Sequence, residues 1–242
     1  LGGPQPGVAS EYIVSPARNW QPVPDALAER LAPHELATLP CAALTAWSVL
    51  VTEGGLDPHD RSSNAEAVVL TLGTGGVSLF ALQIAKVLGA QVAITSSSDD
   101  KLAFARELGA DVTVNYRTNP EWAKAVTATV GRGADIVVET GGAETLPQSI
   151  RATAPGGVIG VLGALTGLTT ELNTSHFMMR RIKLAGIMVD SKRALGEMLR
   201  FLATHPIDPV IHQTFGFHEL PDALRSLKSG GHRGKLALRV AQ

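Results

Sequence analysis

The residues best suited to chemistry lie where an apolar run, Ala67-Val68-Val69-Leu70-Thr71-Leu72, ends in Gly73-Thr74-Gly75-Gly76-Val77-Ser78. A strand, a glycine-rich bend and a helix in that order make an anion site. The glycines let the backbone turn tightly and approach a diphosphate, and the free N–H groups at the positive end of the helix hold it. Against the G-x-G-x-x-G pattern, Gly73 and Gly75 match, Gly76 is additional and Ser78 stands for the third glycine. That third position serves close packing of helix on strand, and Ser is the next smallest choice. A tight strand-to-helix turn without a ligand is the plain alternative. The strand before it, the helix after it and a second βαβ unit beyond favour the site.

The tip of the next strand bears on which dinucleotide binds. Sites for NAD usually place Asp or Glu about 20 residues on, to accept from the ribose 2′-OH. Here the run is Thr95-Ser96-Ser97-Ser98-Asp99-Asp100-Lys101, with Ser96 where the acid is expected. Small hydroxyl side chains leave room for a 2′-phosphate and donate to it, and Lys101, one helical turn further, adds charge. Asp99 and Asp100 are the counter-argument, since either could be a displaced ribose ligand; acids in a first helical turn also simply complement its dipole. The balance favours NADP(H) over NAD(H).

The elements that position these residues follow from periodicity. After the strand at 67–72, helices are expected at 75–88, 99–108, 120–130, 144–151 and 193–204, and strands at 92–95, 111–115, 135–139, 157–162 and 183–189. Ser98 is the expected N-cap of the second of these helices and Gly109 its stop. Strands alternating with helices at this spacing imply a doubly wound parallel sheet, an α/β fold, because parallel neighbours need crossover connections. The rhythm breaks after 204, where a strand at 210–217, a helix at 220–229 and a strand at 235–240 are expected. Upstream, 11–14 reads as a short strand, 33–39 and 41–51 as two helices interrupted by Pro40, and 54–64 as turns. The expected domains are 51–204 for the dinucleotide unit, with 1–50 and 205–242 as parts of a second one.

The chain has 242 residues, with 21 Lys+Arg against 22 Asp+Glu for a net charge of −1. That balance gives no electrostatic reason to expect nucleic acid or an anionic membrane as partner. No apolar run reaches the roughly 18 residues that cross a bilayer. The first residues, Leu1-Gly2-Gly3-Pro4, do not read as a signal peptide, and the absence of an initial Met reads as a processed or trimmed start. The one cysteine, Cys41, allows no intrachain disulfide and no cysteine-rich zinc lobe. A cytosolic location is expected.

The segments GTGGVSLFALQIAKVLGA, TSSSDDKLAFARELGADVTVNYR and VVETGGAETLPQSIRATAPGGVIGVLG resemble the cofactor domain of medium-chain dehydrogenases/reductases. The quinone-oxidoreductase-like and zinc-type-alcohol-dehydrogenase-like members are the most similar. LPCAALTAWSVL is similar to the helix by which that family enters its cofactor domain, GVASEYIVSP to the end of its N-terminal domain, and GGHRGKLALRV to its C-terminal strand. The resemblance implies a Rossmann domain and a remnant of a GroES-like substrate domain at the two chain ends, most of that domain being absent. It implies contacts of Gly75, Gly76 and Val77 with the diphosphate, and of Ser96, Ser97 and Lys101 with the 2′-phosphate. Tyr116 would lie against the adenine or reach the same phosphate, Thr45 would flank the nicotinamide, Thr140, Gly163 and Ala164 would line its ribose and amide, and Ile187 its far edge. It also implies a homodimer paired through the edge strand at 182–189.

Cys41 falls where zinc-dependent relatives place a ligand, four residues before Thr45. Catalytic zinc needs three protein ligands and an open position, and the nearest other donor, His34, lies beyond Pro40. No metal is expected, and the remaining histidines show no HExxH spacing. The expected chemistry is zinc-independent hydride transfer from NADPH to an activated C=C of an enone or quinone, or to a carbonyl. Two other classes stay open. One is a non-redox step, such as cyclisation or isomerisation, in a pocket walled by Trp20, Trp47, Phe177 or Met178. The other is an accessory subunit, marked by an exposed apolar patch around 1–50.

Overall fold

In the computed structural model, which describes residues 7–240, the apolar run becomes β1 (Val68–Leu72), buried at every position. A strand of that kind needs cover on both faces. It lies beside β2 (Gln91–Ser96) on one side and β4 (Ala134–Glu139) on the other. Beyond β2 is β3 (Val112–Asn115); beyond β4 come β5 (Thr153–Val161) and β6 (Lys183–Gly186). All five pairings in this six-stranded sheet are parallel, and the order 3-2-1-4-5-6 reverses direction between β1 and β4. This is the doubly wound α/β sheet the periodicity predicts.

Alternate side chains of the strands feed two cores. Val69, Ile94, Ile136 and Val138 meet α1 (Asp25–Arg30), α2 (Pro33–Glu53), α3 (Gly76–Leu88), α4 (Asp99–Glu107) and α8 (Lys192–Thr204) on one face. Val68, Leu70, Leu72 and Val137 meet α5 (Trp122–Val130), α6 (Leu146–Ala152) and α7 (Ser175–Arg180) on the other. The last elements, β7 (Ile211–Gly216), α9 (Leu220–Ser229) and β8 (Lys235–Arg239), form a separate two-stranded parallel sheet with its crossover helix.

Four local expectations need correction. Pro40 does not interrupt the chain: α2 runs through it, with wide π-type turns at Leu39–Ala43 and Ser48–Glu53. Such a turn absorbs the missing N–H, and burial of Leu39, Ala42 and Ala43 holds the helix together. The resulting 21-residue helix is long and apolar enough to span a bilayer by length and composition, contrary to the count of apolar runs; 61% of its most apolar window is buried inside the fold. The stretch 11–14 is not a strand, and Tyr12 and Val14 are 89% and 102% exposed, as befits a segment with no strand beside it. Finally, β6 stops at Gly186, and Val189 takes φ 57, a left-handed conformation that no strand accommodates. The helices α1 and α7 occupy stretches in which the periodicity gave no element.

Candidate functional site

In a parallel sheet every strand delivers its carboxyl end to the same side, and a crevice opens there at the point where strand order reverses. The glycine bend closes β1 at that point. Gly73 adopts φ +72, which a side chain resists, and its N–H donates to Thr95 O of β2 at 2.7 Å. Gly75 is the N-cap of α3 with φ −76. A Cβ built on Gly73 or on Gly75 would meet nothing within 4 Å, so the space above this backbone is open. The first-turn amides of Gly76, Val77 and Ser78 have no intrahelical acceptor and point into it. These residues therefore fit the diphosphate of a dinucleotide: an open cradle, bare backbone and the positive end of a 13-residue helix.

Two hydroxyls lock the bend. Ser78 Oγ donates to Leu72 O at 2.6 Å and Thr140 Oγ1 donates to the same oxygen at 2.8 Å. Ser78 is 1% exposed, so the third glycine position does serve close helix–strand packing. Thr140 ties the end of β4 to the end of β1 across the reversal point.

The other expected contacts line the same strand ends in sheet order. Ser96 is buried at the end of β2, and Ser97 and Ser98 carry the more open part of that tip. Ser98 occupies the N-cap position of α4 without a side-chain cap bond. Tyr116 follows β3, is 42% exposed, and donates its N–H to Ser96 O at 3.0 Å. Gly163 and Ala164 follow β5, and Ile187 follows β6, its N–H on Val161 O at 2.9 Å. A Cβ on Gly163 would sit 1.9 Å from Thr140 O, so the β4 and β5 loops are pressed together there.

Thr45 arrives from α2. Val49 packs against Gly160, which registers with Val138, while Gly54 abuts Ile136 further down β4. The helix thus climbs toward the carboxyl ends, and Thr45 sits one turn above Val49, 5% exposed, its hydroxyl donating to Cys41 O at 2.7 Å.

Lys101 lies in the first turn of α4, just beyond the serine tip. Its ammonium donates to Gly230 O at 3.0 Å, and burial first, then the positive charge of Arg233, holds it below the ordinary lysine value. Asp99, the alternative ribose ligand, accepts from Asn115 Nδ2 at 2.8 Å.

Three features escaped the sequence. Glu139, at the end of β4, is fully buried. Its Oε1 accepts from Gly141 N at 2.8 Å, Gly142 N at 3.0 Å and Thr145 Oγ1 at 2.6 Å, and Ser149 Oγ donates to Oε2. An acid closing the apolar run Ile136-Val137-Val138 just before two glycines was the available signal. The second feature is the segment before β8. Gly234 N donates to Thr74 O at 2.9 Å, and the stem of Lys235 lies over Gly76, where a Cβ would meet its Cδ at 2.3 Å. The third is His232, whose buried Nδ1 has no partner among the described residues. Burial, followed by the charges of Lys101, His212 and Lys235, pushes its imidazole below the ordinary value.

Cys41 is exposed, and no group of three His, Cys, Asp or Glu side chains converges among the described residues. The described residues by themselves do not bring together the three ligands a catalytic zinc needs. The four walls proposed for an apolar pocket do not meet either. Trp47 is 2% exposed in the core, 5.2 Å from the Phe201 ring, whereas Trp20 and Met178 are 48% and 78% exposed. A hollow of about 300 Å³ between α5 and α6 opens on the opposite face of the sheet from α3.

The zinc-binding dehydrogenase family pattern matches residues 76–204. A zinc-type alcohol dehydrogenase-like protein of Schizosaccharomyces pombe is 40% identical, with 99% of this chain and 68% of that protein aligned. The crystal structure of an NAD-dependent alcohol dehydrogenase superposes with a TM-score of 0.85 at 36% identity, covering 97% of this chain and 66% of that one. The structure of the crotonyl-CoA carboxylase/reductase AntE in complex with NADP superposes with a TM-score of 0.76 at 26% identity, covering 87% and 57%. The chain thus spans 57–68% of the length of these relatives.

Proposed function

The chain belongs to the zinc-binding dehydrogenase family of medium-chain dehydrogenases/reductases, and from that premise we propose that it is an NADP(H)-dependent, zinc-independent oxidoreductase that reduces an activated C=C or a carbonyl of a small molecule. The observation that carries this is the open glycine cradle at the reversal point of the sheet, with the first-turn amides of α3 aimed into it. A crotonyl-CoA carboxylase/reductase in complex with NADP and an NAD-dependent alcohol dehydrogenase among the similar structures both support a nicotinamide cofactor. The serine tip at 96–98, which carries no acid, supports the phosphorylated form.

A bound nicotinamide supplies the hydride. The amides of Gly76 and Val77 hold the diphosphate, and Lys235 brings a cation to the same place. The order of the strand ends then sets direction: β2 and β3 face the adenosine half, and β4, β5 and β6 face the nicotinamide half. Thr140, held by Leu72 O, and Glu139, holding the amides of Gly141 and Gly142, fix the wall there. Thr45 approaches that end from α2. Consumption of NADPH with an enone, quinone or aldehyde panel tests the proposal. Full cofactor occupancy with no consumption across the panel contradicts it.

We further propose a homodimer formed by β6, an edge strand whose Leu184 is 38% exposed and whose following Met188 is 95% exposed. The ends of the chain, 1–50 and 205–242, are proposed as the GroES-like portion, the partner as a small molecule rather than nucleic acid or membrane, and the location as cytosolic. One observation favours the accessory-subunit alternative: Val8, Tyr12, Val14 and Trp20, all within residues 8–20, are exposed apolar side chains. A chain that binds cofactor yet consumes none with any acceptor, and elutes only in complex with a partner, would select it.

A further inference from the structure

We propose that Arg233 is the specificity-determining residue that reads the 2′-phosphate, a role that rests on the nicotinamide reading above. The segment 230–235 crosses the groove between the glycine bend and the serine tip. At one end, Gly234 N donates to Thr74 O at 2.9 Å and Gly234 bridges to Gly75 in parallel fashion. At the other, Gly230 O receives the Lys101 ammonium at 3.0 Å. Gly230 and Gly234 both take positive φ, +69 and +64, which lets the strap turn at each anchor. A dinucleotide on the glycine bend must place its adenosine ribose beneath this strap.

Arg233 lies between the anchors. Its guanidinium carbon is 4.6 Å from the centroid of Phe104, one helical turn beyond Lys101 on α4. Stacking on a ring leaves the planar fork free to donate edgewise, and among the described residues Arg233 enters no ion pair. The bidentate fork matches a phosphate as an ammonium cannot. Lys101, the residue the sequence singles out, has its ammonium on Gly230 O and acts as the strap's anchor. His232, Lys101 and Lys235 surround the same place, and the orphaned Nδ1 of His232 is a further polar atom without a protein partner. Cationic and polar groups gathered there suit a dianion. Asp99, the first acid of α4, has a carboxylate oxygen bonded to Asn115.

The test is a fluorescence titration of the full chain with NADPH and with NADH, for the wild type and for Arg233→Ala, Arg233→Lys and Lys101→Ala. The wild type should prefer NADPH. Arg233→Ala should weaken NADPH about 10- to 100-fold and change NADH by less than about twofold, because the lost bonds are charge-assisted and meet only the phosphate. Arg233→Lys should recover part of the loss, which shows that the position and not the fold is at issue. Lys101→Ala should weaken both cofactors alike by loosening the strap. Equal affinity of the wild type for the two cofactors, or an undiminished NADPH preference in Arg233→Ala, overturns the role of Arg233. A wild type that binds neither overturns the nicotinamide reading instead.

Discussion

Replacing Glu139 by Ala should destabilise the fold strongly, because this side chain is the acceptor on which the loop after β4 is built. It is fully buried and takes two backbone N–H groups, from Gly141 and Gly142, together with the hydroxyls of Thr145 and Ser149. Truncation leaves both amides in a dry site. Each orphaned amide costs about 1–3 kcal/mol, while the hydroxyls can turn to other acceptors, as Thr145 already does toward Gly142 O. With the void left by the lost atoms, the sum is about 3–5 kcal/mol. At a urea m-value of about 2.5 kcal/mol per molar, the unfolding midpoint should fall by about 1–2 M with unchanged slope. Tryptophan fluorescence reports it, since Trp47 and Trp122 lie in the two separate cores. Glu139→Gln keeps a carbonyl oxygen for the two amides and one hydroxyl, so its loss should be only about 1 kcal/mol. Equal midpoints for Glu139→Ala and the wild type, or a glutamine variant as unstable as the alanine one, would refute the assignment of this side chain as the loop's acceptor.

Gly163→Ala should lower stability by more than about 2 kcal/mol in the same assay and weaken cofactor binding, since its Cβ would fall 1.9 Å from the backbone oxygen of Thr140, which cannot swing away. Thr71→Val should be neutral or stabilising by up to about 1 kcal/mol, because the buried Thr71 hydroxyl has no partner among the described residues and Val fills the same shape; a clear drop in melting temperature would contradict this. His232 resists protonation in the fold, so the unfolded chain takes up the proton first as pH falls through 6.5. Its contribution is therefore complete above that pH and declines as pH drops toward the lowered folded value. Wild type should accordingly lose more stability between about pH 7.5 and 5.5 than His232→Gln does.

Much of the fold was legible because its signals are local. A continuous apolar strand, three glycines and a second apolar stretch specify β1, the bend and α3 within about 20 residues, and the alternation that follows implies the parallel sheet. Local rules also explain two misreadings. Pro40 is a helix breaker by propensity, yet core packing of Leu39, Ala42 and Ala43 carries α2 through it. Residues 11–14 have strand-forming side chains but no neighbouring strand to pair with. In the site, the glycine bend and the serine tip could be read because each is a single run. The strap could not: Lys101 and Gly230 are 129 residues apart, and nothing in either run marks the other. Glu139 lies between these cases, since all its donors fall within ten residues, but their convergence requires the turn at 140–145.

If the bend at 73–78 holds a dinucleotide diphosphate, Gly75→Val should abolish that binding without unfolding the chain. Gly75 has φ −76, which a side chain accepts, and a Cβ there enters open space, so the variant should fold and melt like the wild type. The added methyls would occupy the cradle where the diphosphate must approach. Calorimetric titration with NADPH should give saturable one-to-one binding for the wild type and none for Gly75→Val. Binding of equal strength to both proteins, or no binding to a folded wild type, would show that this bend is not a diphosphate site.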